Sequence, residues 1–149
     1  MSDEARLDRS RQWFDAAFDE LKASKTLLYT GHYAQSCFYA QQSVEKAMKG
    51  IMAADGKAIT THSIAKLMIN LPQDNQLDDL EPIRLDKFYI LTRYPESLPE
   101  GASIRQLFGR RDAEDGYATA SGTVHLLAGW AKELGVTIPE LNEEILPRE

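Results

Sequence analysis

Leu27 to Met52 reads LLYTGHYAQSCFYAQQSVEKAMKGIM, and the turn inside it decides the fold. One apolar-periodic stretch runs into Thr30-Gly31 and a second leaves it at Tyr33. Glycine just past a helical pattern is a stop signal, so the segment reads as two helices joined by a short connection, which favours antiparallel neighbours. In the second helix, Cys37, Val44, Met48 and Ile51 recur at helical spacing with Ala40 and Ala47 beside them, and Asp55-Gly56 ends the pattern. The opposite side carries Gln42, Glu45, Lys46 and Lys49 at offsets of zero, three, four and seven. Such a row suits a solvated face, with Gln42–Lys46 and Glu45–Lys49 as i,i+4 pairs and the acid-before-base pair worth ~0.2–0.5 kcal/mol. Phe38, one turn earlier on the same side, fits a different reading. An aromatic beside a charged row meets another apolar surface, such as a partner helix or a second subunit.

Working outward, Leu7, Phe14, Ala17, Leu21 and Leu28 mark a long first helix of about 25 residues, with Ser10 and Ser24 filling the gaps in the same stripe. Its serines and Ala17 are small enough for a neighbouring helix to approach closely. Downstream, TTHSIAKLMINLP predicts a shorter helix capped by Thr61 or Ser63 and stopped before Pro72. QDNQLDD reads as a polar loop. Another helix opens near Pro82, buries Leu85, Phe88 and Leu91, and closes at TRYP. Residues 96–110 read as a long loop. The final long helix buries Ala113, Tyr117, Ala120, Val124, Leu127, Ala131 and Leu134 before Gly135 stops it. The predicted fold is all-α, an antiparallel up-and-down bundle of four to five helices over residues 1–135. An acidic C-terminal tail follows at 136–149, with one helical turn around Glu140–Ile145.

A chain of 149 residues suits one domain. Its net charge of −6 disfavours nonspecific coating of nucleic acid, which needs basic surface. The charged N-terminus and the lack of a long apolar run argue for a cytoplasmic protein with no membrane span. Cys37, the single cysteine, excludes an intramolecular disulfide and reads as a small core residue. No histidine has carboxylate or thiol neighbours at metal-ligand spacing, and neither a Walker loop nor a serine-hydrolase elbow occurs. His62 follows Thr60-Thr61 at a helix start, where it caps, packs, or meets an anionic ligand. Arg93 closes a helix, where its charge suits the dipole and is equally placed for a ligand. Arg105, Arg110 and Arg111 precede the last helix, an arrangement that can hold phosphate although Asp112, Glu114 and Asp115 compete for the same field.

The order of these pieces resembles the HEPN domain family, named for higher eukaryotes and prokaryotes. The matching parts are Trp13 with Ala17, the stretch from Leu27 to Met52, His62 before SIAKL, RYP at Arg93–Pro95, and the alanine-rich last helix, spanning about residues 7–134. The resemblance implies an up-and-down bundle that forms a homodimer, a prokaryotic gene context beside a minimal nucleotidyltransferase in a toxin–antitoxin pair, and a nucleotide-binding role. By matching position, Gln42, Glu45, Lys46 and Lys49 carry the helix-two motif, and Arg93, Tyr94 and Pro95 the RYP element. In that reading Lys46 and Lys49 offer point charges, Arg93, Arg105, Arg110 and Arg111 grip phosphate, and Tyr94 stacks on a base. The catalytic ribonucleases of the family carry arginine, four to six residues, then histidine. Here thirteen residues separate Arg111 from His125, and neither His32 nor His62 has an arginine at that spacing. The expectation is a non-catalytic module that requires no cofactor, takes a nucleotide or phosphorylated ligand, and works with a nucleotidyltransferase partner. A purely protein-interacting partner and a divergent ribonuclease toxin are the alternatives.

Overall fold

The computed structural model describes residues 2–141. Helix α1 spans Asp3–Tyr29, and the Ser2 hydroxyl caps its start by accepting from the Ala5 N–H at 3.1 Å. At its end Gly31 takes φ +82, the left-handed region that glycine enters without a Cβ penalty, and the His32 N–H donates back to the Leu27 carbonyl at 2.8 Å. Helix α2, Tyr33–Ala54, starts at once and returns antiparallel along α1. The small-residue stripe does what its spacing suggests. Ser24 and Ser36 are fully buried and exchange hydrogen bonds, each hydroxyl donating to the other's carbonyl at 2.8 and 2.7 Å. That reciprocal pair lets the two backbones approach with neither of these two hydroxyls left unsatisfied.

Helix α7, Arg110–Glu133, packs on both long helices and completes the core with Ala113, Ala120, Val124, Leu127 and Ala131, all at 0% exposure. The Asp112 carboxylate accepts from the Gly109 N–H at 2.9 Å and fixes its first turn. Between α2 and α7 lie the short helices α3 (Ile64–Met68), α4 (Asn75–Leu80), α5 (Asp86–Arg93) and α6 (Ile104–Leu107). A 3₁₀ turn at Pro82–Leu85 leads into α5, which lies against α2 as the fourth member of the bundle. No strand occurs among the described residues.

Several sequence expectations need correction. QDNQLDD is no loop: Asp74 caps α4 by accepting from the Gln76 and Leu77 N–H groups at 2.7 and 3.3 Å, and Leu77 is buried. Helix α4 has two apolar residues, Leu77 and Leu80, too few to show a period. Residues 96–110 likewise hold α6, and Phe108 is buried edge-on against Phe88 at 5.8 Å. Leu134, expected in the core, is 53% exposed because the chain turns at Gly135 and Val136 takes the buried place. The expected turn around Glu140–Ile145 falls largely outside the described residues.

Cys37 is fully buried, and burial pushes its thiol up to about 12. At pH 8 its thiolate fraction is therefore on the order of 10⁻⁴, and iodoacetamide is expected to leave the native protein unmodified while alkylating it in guanidinium, read by intact mass. Native alkylation at the denatured rate would refute that placement.

Candidate functional site: a carboxylate, an imidazole and a guanidinium around Tyr89

The polar row of α2 touches something, and it touches this chain. Because α2 is the central helix, both of its sides are covered, and Glu45 is 2% exposed. Lys46 forms an ion pair with Glu20 of α1. Lys49 Nζ lies 3.5 Å from Glu45 Oε2 and 5.5 Å from the centre of the Trp13 ring, so its charge has a carboxylate and an aromatic face. Glu45 Oε1 meets His62 Nδ1 at 3.0 Å. A carboxylate can only accept, so His62 carries its proton on Nδ1 and Nε2 remains for solvent or a ligand.

His62 is held from three directions. Gln41 Nε2 donates to the His62 carbonyl at 3.0 Å, and Gln41 Oε1 in turn accepts from Gln42 Nε2 at 2.6 Å. Asp86, at the start of α5, accepts from the Ile64 and Ala65 N–H groups at 2.6 and 3.0 Å, tying the α3 terminus to α5 just after His62. The imidazole then stacks on Tyr89 at 4.5 Å with 14° between the ring planes. Phe38 stacks on the same tyrosine at 6.3 Å, which is the apolar surface its position called for. Arg93 lies over Tyr89 at 5.0 Å, donates to the Tyr89 hydroxyl at 2.6 Å, and sits 5.3 Å from the Tyr94 ring.

A buried carboxylate thus orients an imidazole, and a tyrosine links that imidazole to an exposed guanidinium. Such a set offers a positive charge, flat rings and a positioned nitrogen, the elements that bind phosphate and base or move a proton.

The structure brings Phe38, Gln42, Glu45, His62, Arg93 and Tyr94 into one connected array. The other sequence candidates lie elsewhere or are engaged. Lys46 and Lys49 are turned toward α1. Arg110 Nε donates to the Tyr33 hydroxyl at 3.3 Å and pairs with Glu114 at 4.0 Å, while Arg105 lines a separate cleft with Tyr33 and Phe108. Arg111 is exposed at the start of α7. Tyr89, Gln41 and Asp86 are the residues that sequence reading missed. Tyr89 had one signal, its place four residues before Arg93 on a helix. Gln41 and Asp86 act across chain separations of 21 and 22 residues, which no local pattern shows.

Glu20 gives a test of the α1 seam. Its carboxyl is held above the usual carboxylate range because burial outweighs the hydrogen bond and charge of Lys46, with Glu45 and Asp19 adding repulsion. A raised folded value means folding favours the protonated form, so Glu20's contribution is fullest below its unfolded value and is lost as pH rises through the folded one. Glu20→Gln is neutral throughout. Its stability relative to wild type should therefore improve between pH 4 and pH 7 in urea unfolding; an opposite slope would show that the Lys46 pair dominates.

These features define a class: a small helical-bundle domain whose central helix anchors a histidine-bearing turn beside an RYP segment. The HEPN domain model matches residues 10–130, and the chain belongs to the HEPN domain family. Among solved structures it is similar to TT1696 from Thermus thermophilus, at 34% identity and a TM-score of 0.74 over 81% of this chain and 97% of that one. It is also similar to ST0689, an archaeal HEPN homologue, at 30% identity and a TM-score of 0.69 over 83% and 98% of the two chains. A curated relative from Methanocaldococcus jannaschii, named Putative toxin MJ1304, is 25% identical over 128 residues, 78% of this chain and 84% of that protein. No described helix is long and apolar enough to cross a membrane.

Proposed function

We propose that this chain is a HEPN module that binds a nucleotide or similar phosphorylated ligand at the Tyr89 array and acts with a nucleotidyltransferase partner in a toxin–antitoxin pair. One observation carries the reading. Arg93 is exposed yet held over two aromatic rings, beside an imidazole that a buried carboxylate orients. A guanidinium fixed in this way loses less freedom on gripping phosphate, and Tyr94, at 40% exposure, offers a face for a base. The toxin name of the archaeal relative supports the pairing with an antitoxin-type partner.

The test is thermal-shift titration against nucleoside mono- and triphosphates. A ligand that binds only the native state raises stability by RT ln(1 + [L]/Kd), so saturating ligand at about 100 Kd adds roughly 2.7 kcal/mol. Arg93→Ala should remove most of that gain while leaving the unliganded midpoint near wild type, since the side chain is exposed. No saturable shift for any nucleotide would overturn the binding reading.

The Glu45–His62 contact favours a second reading, a divergent ribonuclease toxin in which His62 moves the proton and Arg93 holds the phosphate charge. It predicts growth arrest on expression that His62→Ala relieves. Harmless expression of the wild-type chain without its partner counts against it.

A further inference from the structure

A concavity of about 420 Å³ opens where the first half of α1 faces the end of α2 and the segment that follows it. It lies in the range of small-ligand sites. Trp13, Met52 and Ile59 supply its apolar wall, and Arg9, Lys49 and Lys57 its charged groups; among the described residues no carboxylate lines it. In a chain whose net charge is −6, three cations around one indole are a local inversion of sign. Their pairing is incomplete. Among the described residues Lys49 shares Glu45 with His62, Lys57 meets only the exposed Asp55 at 3.2 Å, and Arg9 has no ion pair. Gly56, at φ +76, turns the chain here, and a side chain there would press on Arg6, whose guanidinium pairs with Asp3.

We propose that this cavity binds a small aromatic ring bearing one anionic group, the ring against Trp13 and the anion between Arg9 and Lys57. The apolar wall removes the ring from water, and the two exposed cations meet the charge without leaving a buried ion unpaired. A neutral ring forgoes the charge contact and a bare anion forgoes the wall, so both bind less tightly. The site shares no residue with the Tyr89 array, and Lys49 links the two only through its pair with Glu45. Its occupation is independent of whether nucleotides bind at Arg93.

Trp13 itself reports the test. The chain has two tryptophans, Trp13 and Trp130, so a proton–nitrogen correlation spectrum shows two indole resonances, which Trp130→Phe assigns. Phenyl phosphate, benzoate, benzyl alcohol and inorganic phosphate are titrated in turn. Phenyl phosphate or benzoate should move the Trp13 resonance saturably and leave that of Trp130 in place. The double variant Arg9→Gln/Lys57→Gln, at two exposed positions, should weaken that binding by roughly threefold to twentyfold. The proposal is overturned if neither aromatic anion moves the Trp13 resonance, if the double variant binds them as tightly as wild type, or if benzyl alcohol or inorganic phosphate matches them.

Discussion

Gly50→Ala is expected to lower stability by about 1–3 kcal/mol, opposite in sign to what helix propensity alone predicts. In an exposed helix interior, alanine for glycine gains ~1 kcal/mol. Gly50, however, is buried in α2 against α1, where an added Cβ would stand 2.6 Å from Phe14 Cε2, 2.7 Å from Phe14 Cδ2 and 3.3 Å from Trp13 Cβ. Phe14 is itself at 0% exposure, so its ring cannot step aside into solvent. The clash outweighs the propensity gain, and the midpoint should fall by roughly 2–12 °C for a domain of this size. Gly129→Ala supplies the control. Nothing among the described residues lies within 4 Å of a Cβ there and the position is exposed, so that variant should gain about 0.5–1 kcal/mol. A second change, Phe14→Leu, should cost less in the Gly50→Ala background than in wild type, because the smaller side chain relieves the contact. Urea unfolding of the four variants decides the matter, and a stabilised Gly50→Ala would mean that α1 and α2 are farther apart than described.

The bundle was legible because its long helices state their period. Leu7 to Leu28 and Ala113 to Ala131 repeat over many turns, and glycines at 31 and 135 mark where they stop. Elements of one or two turns were not legible, since Leu77 and Phe108 bury single side chains without a repeat around them. The larger omission concerned α2. An amphipathic reading assigns one side of a helix to the core and the other to water, an assumption that holds for a peripheral helix and fails for a central one. Glu45 looks like half of a surface pair with Lys49, and that pair exists, yet the carboxylate is buried and its other oxygen holds a histidine seventeen residues away. Phe38 was the clue to this, an aromatic on a side that should have been wet. Its partner Tyr89 lies on α5, and only the packing of α5 on α2 brings the two together.

Glu45→Ala should be the most damaging single change at the array. Removing one partner from a buried ion pair costs roughly 3–5 kcal/mol when the remaining charge has nowhere to go. Lys49, whose side chain is 13% exposed, keeps the Trp13 face, and the His62 side chain is 56% exposed, so the expected loss lies at the lower end, about 3 kcal/mol. Glu45→Gln separates charge from shape. Its amide oxygen still accepts from His62 Nδ1, the ring keeps its place on Tyr89, and only the charge on Lys49 goes unanswered, so about 1–2 kcal/mol should be lost. The two variants also divide the proposed ligand site from the fold. With the imidazole still stacked, Glu45→Gln should retain a nucleotide-induced thermal shift, whereas Glu45→Ala should lose it even after its lower starting midpoint is allowed for. Raising salt from 0.1 to 0.5 M should change neither stability difference much, because the carboxylate is shielded from mobile ions. A loss below about 0.5 kcal/mol for Glu45→Ala, or a cost that salt erases, is what a surface pair gives. Either result would return this residue to the solvated row that its spacing first suggests.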